Sequence, residues 1–139
     1  MRYAYFPGCS LEGTAREYDV SLRAVAARIG IELDEIADWN CCGATAAHSF
    51  NHKLSVALPA RILALAELAG HDALLAPCAA CSFRLLAAQH DMKNDAGLKR
   101  EIEEIIEMPY SGRIRVSNIL RALLDVGPDK IAAATSRRF

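Results

Sequence analysis

Three short strand-like runs each give way to turn-forming residues and then to cysteine. Arg2–Phe6 is aromatic-rich, is stopped by Pro7-Gly8, and has Cys9 directly after the stop. Ile31–Ile36 alternates apolar and acidic side chains, which predicts a strand with one wet face. The turn-forming loop Asp38-Trp39-Asn40-Cys41-Cys42-Gly43 follows it. Asp72–Pro77 has the length of a central strand and leads straight into Cys78. Between these runs the apolar residues recur at helical spacing: Leu22, Val25, Ala26 and Ile29, then Leu54, Leu58, Ile62, Leu65 and Ala69. Strands separated by helices imply a parallel sheet with crossover connections. The expected fold is α/β, a Rossmann-like three-layer domain with a short parallel sheet, crossover helices and a helical C-terminal part. In such a sheet the carboxyl ends of the strands share one edge, where ligands bind. Cysteines far apart in sequence are therefore expected to meet there.

The remaining punctuation fills in the layout. Gly30 is placed to end the helix that starts near Thr14. Pro59, inside the second helical stretch, predicts a kinked or two-part helix. Ala79–His90 reads as a helix, and Asn94–Glu107 as an amphipathic one with a solvated charged face between Arg100 and Glu107. Pro109–Gly112 breaks the pattern, Ile114–Leu124 holds a short extended piece and a last helix, and Gly127-Pro128 ends it. Residues 132–139 carry no pattern.

The chain has 139 residues and is 53% hydrophobic, so one domain, 1–139, with a real core is expected. A formal charge of −1 gives no field that would gather nucleic acid or an anionic membrane. The longest apolar stretch, Leu54–Gly70, is interrupted by Pro59, Arg61 and Glu67, so no membrane insertion is expected. The first residues lack the basic start, apolar run and cleavage site of a secretory signal, and a cytoplasmic protein is the expectation.

All five cysteines belong to one pattern, Cys9…Cys41-Cys42-Gly43…Cys78-Ala79-Ala80-Cys81. In a reducing compartment such clustering points to ligands or redox groups. A pair two residues apart at a helix start has its thiols biased towards thiolate by the helix dipole and free N–H groups. Neighbouring cysteines diverge, so Cys41 and Cys42 fit one small ion only if the loop bends, and Gly43 supplies backbone freedom for that. Five thiolates exceed the four a structural zinc accepts. A multi-iron cluster meets both difficulties. Clusters are normally held by four cysteines, so a fifth implies something other than a simple cubane. Taken singly, Cys9 could be a small core residue, and Cys78-x-x-Cys81 a thioredoxin-like pair or half a zinc site. His48 and His52, four apart, and His71 and His90 are the other conceivable ligands, more ordinarily surface or half-buried residues. Trp39 could pack over the cysteine loop, although an aromatic at a loop edge is usually just core. Arg84, one turn beyond Cys81, could draw an anionic substrate or offset cluster charge, or do neither.

With Tyr5-Phe6-Pro7-Gly8-Cys9-Ser10-Leu11 and Pro77-Cys78-Ala79-Ala80-Cys81, the pattern resembles the N-terminal cysteine-rich CCG domain of the heterodisulfide reductase B-type subunit. The resemblance covers roughly Arg2 to Lys130 and implies that Cys9, Cys41, Cys42, Cys78 and Cys81 hold a noncubane [4Fe-4S] cluster. Backbone N–H groups around Gly8, Gly43 and Ala79 are candidate donors to its sulfurs. It also implies electron delivery from a flavin subunit through a ferredoxin-like iron–sulfur subunit to a small disulfide of two thiol coenzymes. The family's subunit usually carries two such domains, and only one is expected here, so the activity would need the second domain and partner subunits. Related domains serve lactate-, glycolate- and succinate-oxidising complexes, which is one alternative function. A zinc-binding structural or docking module is the other.

Overall fold

In the computed structural model, which describes residues 1–136, the elements run β1 (Arg2–Tyr5), α1 (Gly8–Glu12), α2 (Arg16–Ile29), β2 (Glu32–Glu35), α3 (Ala47–Phe50), α4 (His52–Leu68), β3 (Ala73–Leu75), α5 (Ala79–Asn94), α6 (Ala96–Ile106), β4 (Arg115–Ser117), α7 (Ile119–Val126) and α8 (Pro128–Ala134). The four strands form one parallel sheet in the order β2-β1-β3-β4. Tyr3 pairs with Leu33, Ala4 with Leu74, and Leu74 with Val116.

Alternation along the strands divides the core in two. Ala4, Phe6 and Leu74 face Val56, Ala60, Leu63, Leu85 and Ile102 of α4, α5 and α6. Tyr3, Tyr5, Ala73 and Leu75 face Leu22, Ala26 and Ile29 of α2 and Ala122 of α7. The result is the expected three-layer α/β arrangement. β1 and β3 are central and buried, whereas β2 lies at an edge and is partly wet throughout.

Gly30 ends α2 in the left-handed conformation, as expected. Asn51, Asp95 and Asn118 cap α4, α6 and α7 by accepting from the N–H of Leu54, Leu98 and Arg121. Three short helices, α1, α3 and α8, have no counterpart in the sequence reading. Gly127-Pro128 ends α7 as expected, yet Pro128 also opens α8, because a proline in the first turn sacrifices no intrahelical bond. Of the patternless stretch 132–139, residues 137–139 lie outside the described residues.

The helix through Pro59 is one assigned element, His52–Leu68, with α3 as a separate piece ahead of it. Proline has no N–H to offer the carbonyl four residues earlier, that of Ser55. Arg84 of α5 donates to this carbonyl from Nη2 at 2.9 Å. Ser55 is buried, so the substitute bond removes a costly orphan acceptor. Among the described residues, no helix is long and apolar enough to cross a membrane.

Candidate metal centre

β1, β2 and β3 run in the same direction, so their carboxyl ends meet at one edge of the sheet. Each delivers cysteine there. β1 passes through Phe6-Pro7 into α1, whose second residue is Cys9. β2 leads into the loop holding Cys41 and Cys42. β3 ends just before Cys78, the N-cap residue of α5, and Cys81 lies in that helix's first turn. In the order β2-β1-β3-β4 the connections leave β1 and β3 towards opposite sides, so the crevice between them is the topological switch point. Cys9 and Cys78 follow these two strands.

The sulfurs form two pairs and a fifth. Cys42 Sγ and Cys81 Sγ are 3.4 Å apart, and Cys41 Sγ and Cys9 Sγ are 3.7 Å apart. The first pair is buried, with Cys42 2% and Cys81 3% exposed. The second pair is exposed, and Cys78 is intermediate. All five are free thiols. Among the described residues, no three His, Cys, Asp or Glu side chains are grouped tightly enough to grip a single ion.

The inner pair shares a proton unequally. The hydrogen bond from Cys81, assisted by the Ala44 N–H and opposed by burial, pulls the Cys42 thiol down to about 6. Cys81 is pushed far up by that same hydrogen bond and by burial. On Cys41, burial raises the thiol and neighbouring Cys9 adds to this, against the N–H of Gly43, which donates to its sulfur at 3.4 Å.

Two glycines make the room. A Cβ on Gly8 (φ +74°) would stand 2.8 Å from Cys81 Sγ. One on Gly43 (φ +76°) would come within 2.7 Å of both Ala47 and Leu58. The vicinal loop is also pinned from outside. Asn40 donates to the Leu58 carbonyl at 3.0 Å, and Arg61 donates to the Asp38 carbonyl at 2.5 Å, to Asn40 Oδ1 at 3.1 Å and to the Asp38 carboxylate. Trp39 packs edge-on against Phe6 with ring centroids 5.4 Å apart, and its indole N–H donates to Glu35 at 3.2 Å.

The structure therefore brings together the five sequence-predicted cysteines and leaves the other candidates apart. His48, His52 and His90 are exposed, and His71 stands 3.8 Å from Asp34, just ahead of β3 at the opposite edge. Trp39 is half-buried and packs on Phe6 at the margin of the core. Arg84 serves the Ser55 carbonyl. Of the expected sulfur donors, Gly43 makes its contact. The Asn40–Arg61 clamp escapes a reading of the sequence, because no spacing rule links a loop asparagine to an arginine a helix away.

The five-thiol donor set, the cleared space at Gly8 and the backbone donors at Gly43 and Ala44 suit a sulfur-ligated inorganic group. The model of the CCG cysteine-rich domain matches residues 3–85, which include all five cysteines. The chain belongs to the CCG domain family. This CCG chain is 36% identical over 124 residues to the 8-methylmenaquinol:fumarate reductase membrane anchor subunit of Wolinella succinogenes, covering 87% of the chain and 43% of that protein. It is 31% identical over 136 residues to a heterodisulfide reductase B-subunit-like protein of Archaeoglobus profundus, covering 94% of the chain and 45% of that protein. The chain thus spans less than half the length of these curated relatives. Both relatives are named for subunits of reductases.

Proposed function

We propose that this CCG chain is an iron–sulfur electron-transfer domain of a heterodisulfide reductase-like complex. Cys9, Cys41, Cys42, Cys78 and Cys81 would hold a noncubane [4Fe-4S] cluster, and a small disulfide of the thiol-coenzyme type would be reduced there. The observation that carries this reading is the delivery of five thiols from three strand ends to one edge, in two close pairs with a fifth beside them. When bound, such a cluster supplies one-electron transfers and an open iron that a substrate sulfur can approach.

The protein's own contributions follow from the site. The hydrogen bond with Cys81 holds the Cys42 thiol low, which eases loss of its proton on loading. Gly43 donates to Cys41 sulfur, the kind of bond that tunes a cluster's potential. The first turn of α5 has no side-chain cap, which leaves its N–H groups for sulfur or another anion. The exposed outer pair, Cys9 and Cys41, leaves the site open to a small substrate and to partner subunits, a ferredoxin-like iron–sulfur subunit and a flavin subunit.

Anaerobic reconstitution with iron and sulfide tests the reading. Iron with acid-labile sulfide and a paramagnetic resonance spectrum altered or abolished by Cys42→Ser support it. One zinc per chain with no sulfide overturns it in favour of a structural module, and an unchanged spectrum removes Cys42 from the ligands. The Wolinella relative favours a second reading, an iron–sulfur subunit of a succinate- or fumarate-linked complex. Reoxidation of the reduced, loaded protein by a quinone analogue but not by small disulfides would select it.

A further inference from the structure

The five thiols include two close pairs, and the two pairs differ in access. Cys9 and Cys41 are exposed with sulfurs 3.7 Å apart; Cys42 and Cys81 are buried with sulfurs 3.4 Å apart. A disulfide needs sulfurs about 2.05 Å apart. At 3.7 and 3.4 Å the sulfurs of both pairs are in contact, less than 2 Å beyond that separation. Attack on a small disulfide, however, requires an approach to the thiolate from solvent. Only the outer pair offers one. The inner pair lies against Gly8, where even a methyl group would stand 2.8 Å from Cys81 sulfur. The vicinal loop is held by Asn40 and Arg61, which keeps Cys41 on the Cys9 side and Cys42 on the Cys81 side.

We propose that the metal-free chain exchanges with small disulfides through Cys9 and Cys41, closing a Cys9–Cys41 bond while Cys42 and Cys81 stay reduced. A thiolate of the outer pair attacks one sulfur of the small disulfide and forms a mixed disulfide, expelling one small thiolate. The other outer thiolate then attacks the protein sulfur of that mixed bond. It closes the Cys9–Cys41 bond and expels the second small thiolate. Two protein thiols have given up two electrons and two protons, and the small disulfide has taken them up as two thiols. This activity needs no cluster and goes beyond the reading above, so failed reconstitution leaves its test intact.

The test exposes the reduced, metal-free full chain to oxidised glutathione, counts the thiol released, and maps the linked peptides. In the native sequence the fast phase releases two glutathione thiols per chain and yields the Cys9–Cys41 link. Cys9→Ser halves that release and leaves glutathione attached to Cys41. Peptide maps in which Cys42 and Cys81 stay unlinked separate the inner pair from the outer one, and His90→Ala, at an exposed position near the far end of α5, leaves the fast phase unchanged as a control. A first-formed Cys42–Cys81, Cys41–Cys42 or Cys78–Cys81 link overturns the proposal. So does full thiol release from Cys9→Ser, or no release from the native chain.

Discussion

Single side chains set the site's dimensions. Gly8 combines a left-handed backbone with a position hard against Cys81, so Gly8→Ala is strained twice. Backbone strain alone costs about 1–2 kcal/mol, and the clash displaces the sulfur. Urea unfolding should show at least that loss, and iron uptake on reconstitution should fall with it; full uptake would show that Cys81 can move aside. Glu67 offers a residue-level prediction away from the cysteines. Burial raises its carboxyl, but N–H donors from Ser111, Ile114 and Arg113 outweigh that and hold it below the ordinary value of 4.5. Its stabilisation is complete above that ordinary value and is lost as pH falls through the lower folded one. Glu67→Gln should therefore flatten the acid side of the stability profile, measured by urea unfolding from pH 6 to pH 3. At this scale the sequence shows which five cysteines form one pattern, because cysteine spacing is a one-dimensional signal. It does not show which sulfur sits beside which. That pairing depends on Asn40 and Arg61 turning the loop, a contact made through space.

Among the elements, β2 and the long helices are legible from their periods, and β1 and β3 from short apolar runs stopped by proline. α1 and α3 span a turn or so and have none to display. Pro59 is readable as a disturbance, but its remedy is not, since Arg84 belongs to another helix. That remedy is testable by a double-mutant cycle. Arg84→Leu should leave the buried Ser55 carbonyl unpaired and cost about 1–3 kcal/mol. In a Pro59→Ala background the new N–H at residue 59 can serve that carbonyl, so the same change should cost less. Additive effects in urea unfolding would show that Arg84 acts by another route. Arg84 thus has a firm occupation, binding α5 to α4 one turn beyond Cys81.

For the molecule as a whole, a ligand gripped by segments after three strands stabilises all three together. Binding that is saturated a hundredfold adds about 2.7 kcal/mol, which for a domain of this size is roughly 5–10 °C in Tm. Anaerobic calorimetry of loaded against metal-free protein should show a rise of that order, and equal midpoints would show that the ligand does not favour the folded state. The α/β class is legible from alternation of strand and helix signals, whereas the strand order is not, because neighbours in a parallel sheet leave no mark on local spacing. The convergence of Cys9, the vicinal pair and the α5 cysteines has one more consequence, for timing. The pocket has no local precursor: its walls come from segments dozens of residues apart, and Cys81 is the last of its sulfurs to leave the ribosome. A group held by all five sulfurs would therefore have to wait until β1, β2 and β3 have all been synthesised, with the earlier thiols kept reduced in the meantime.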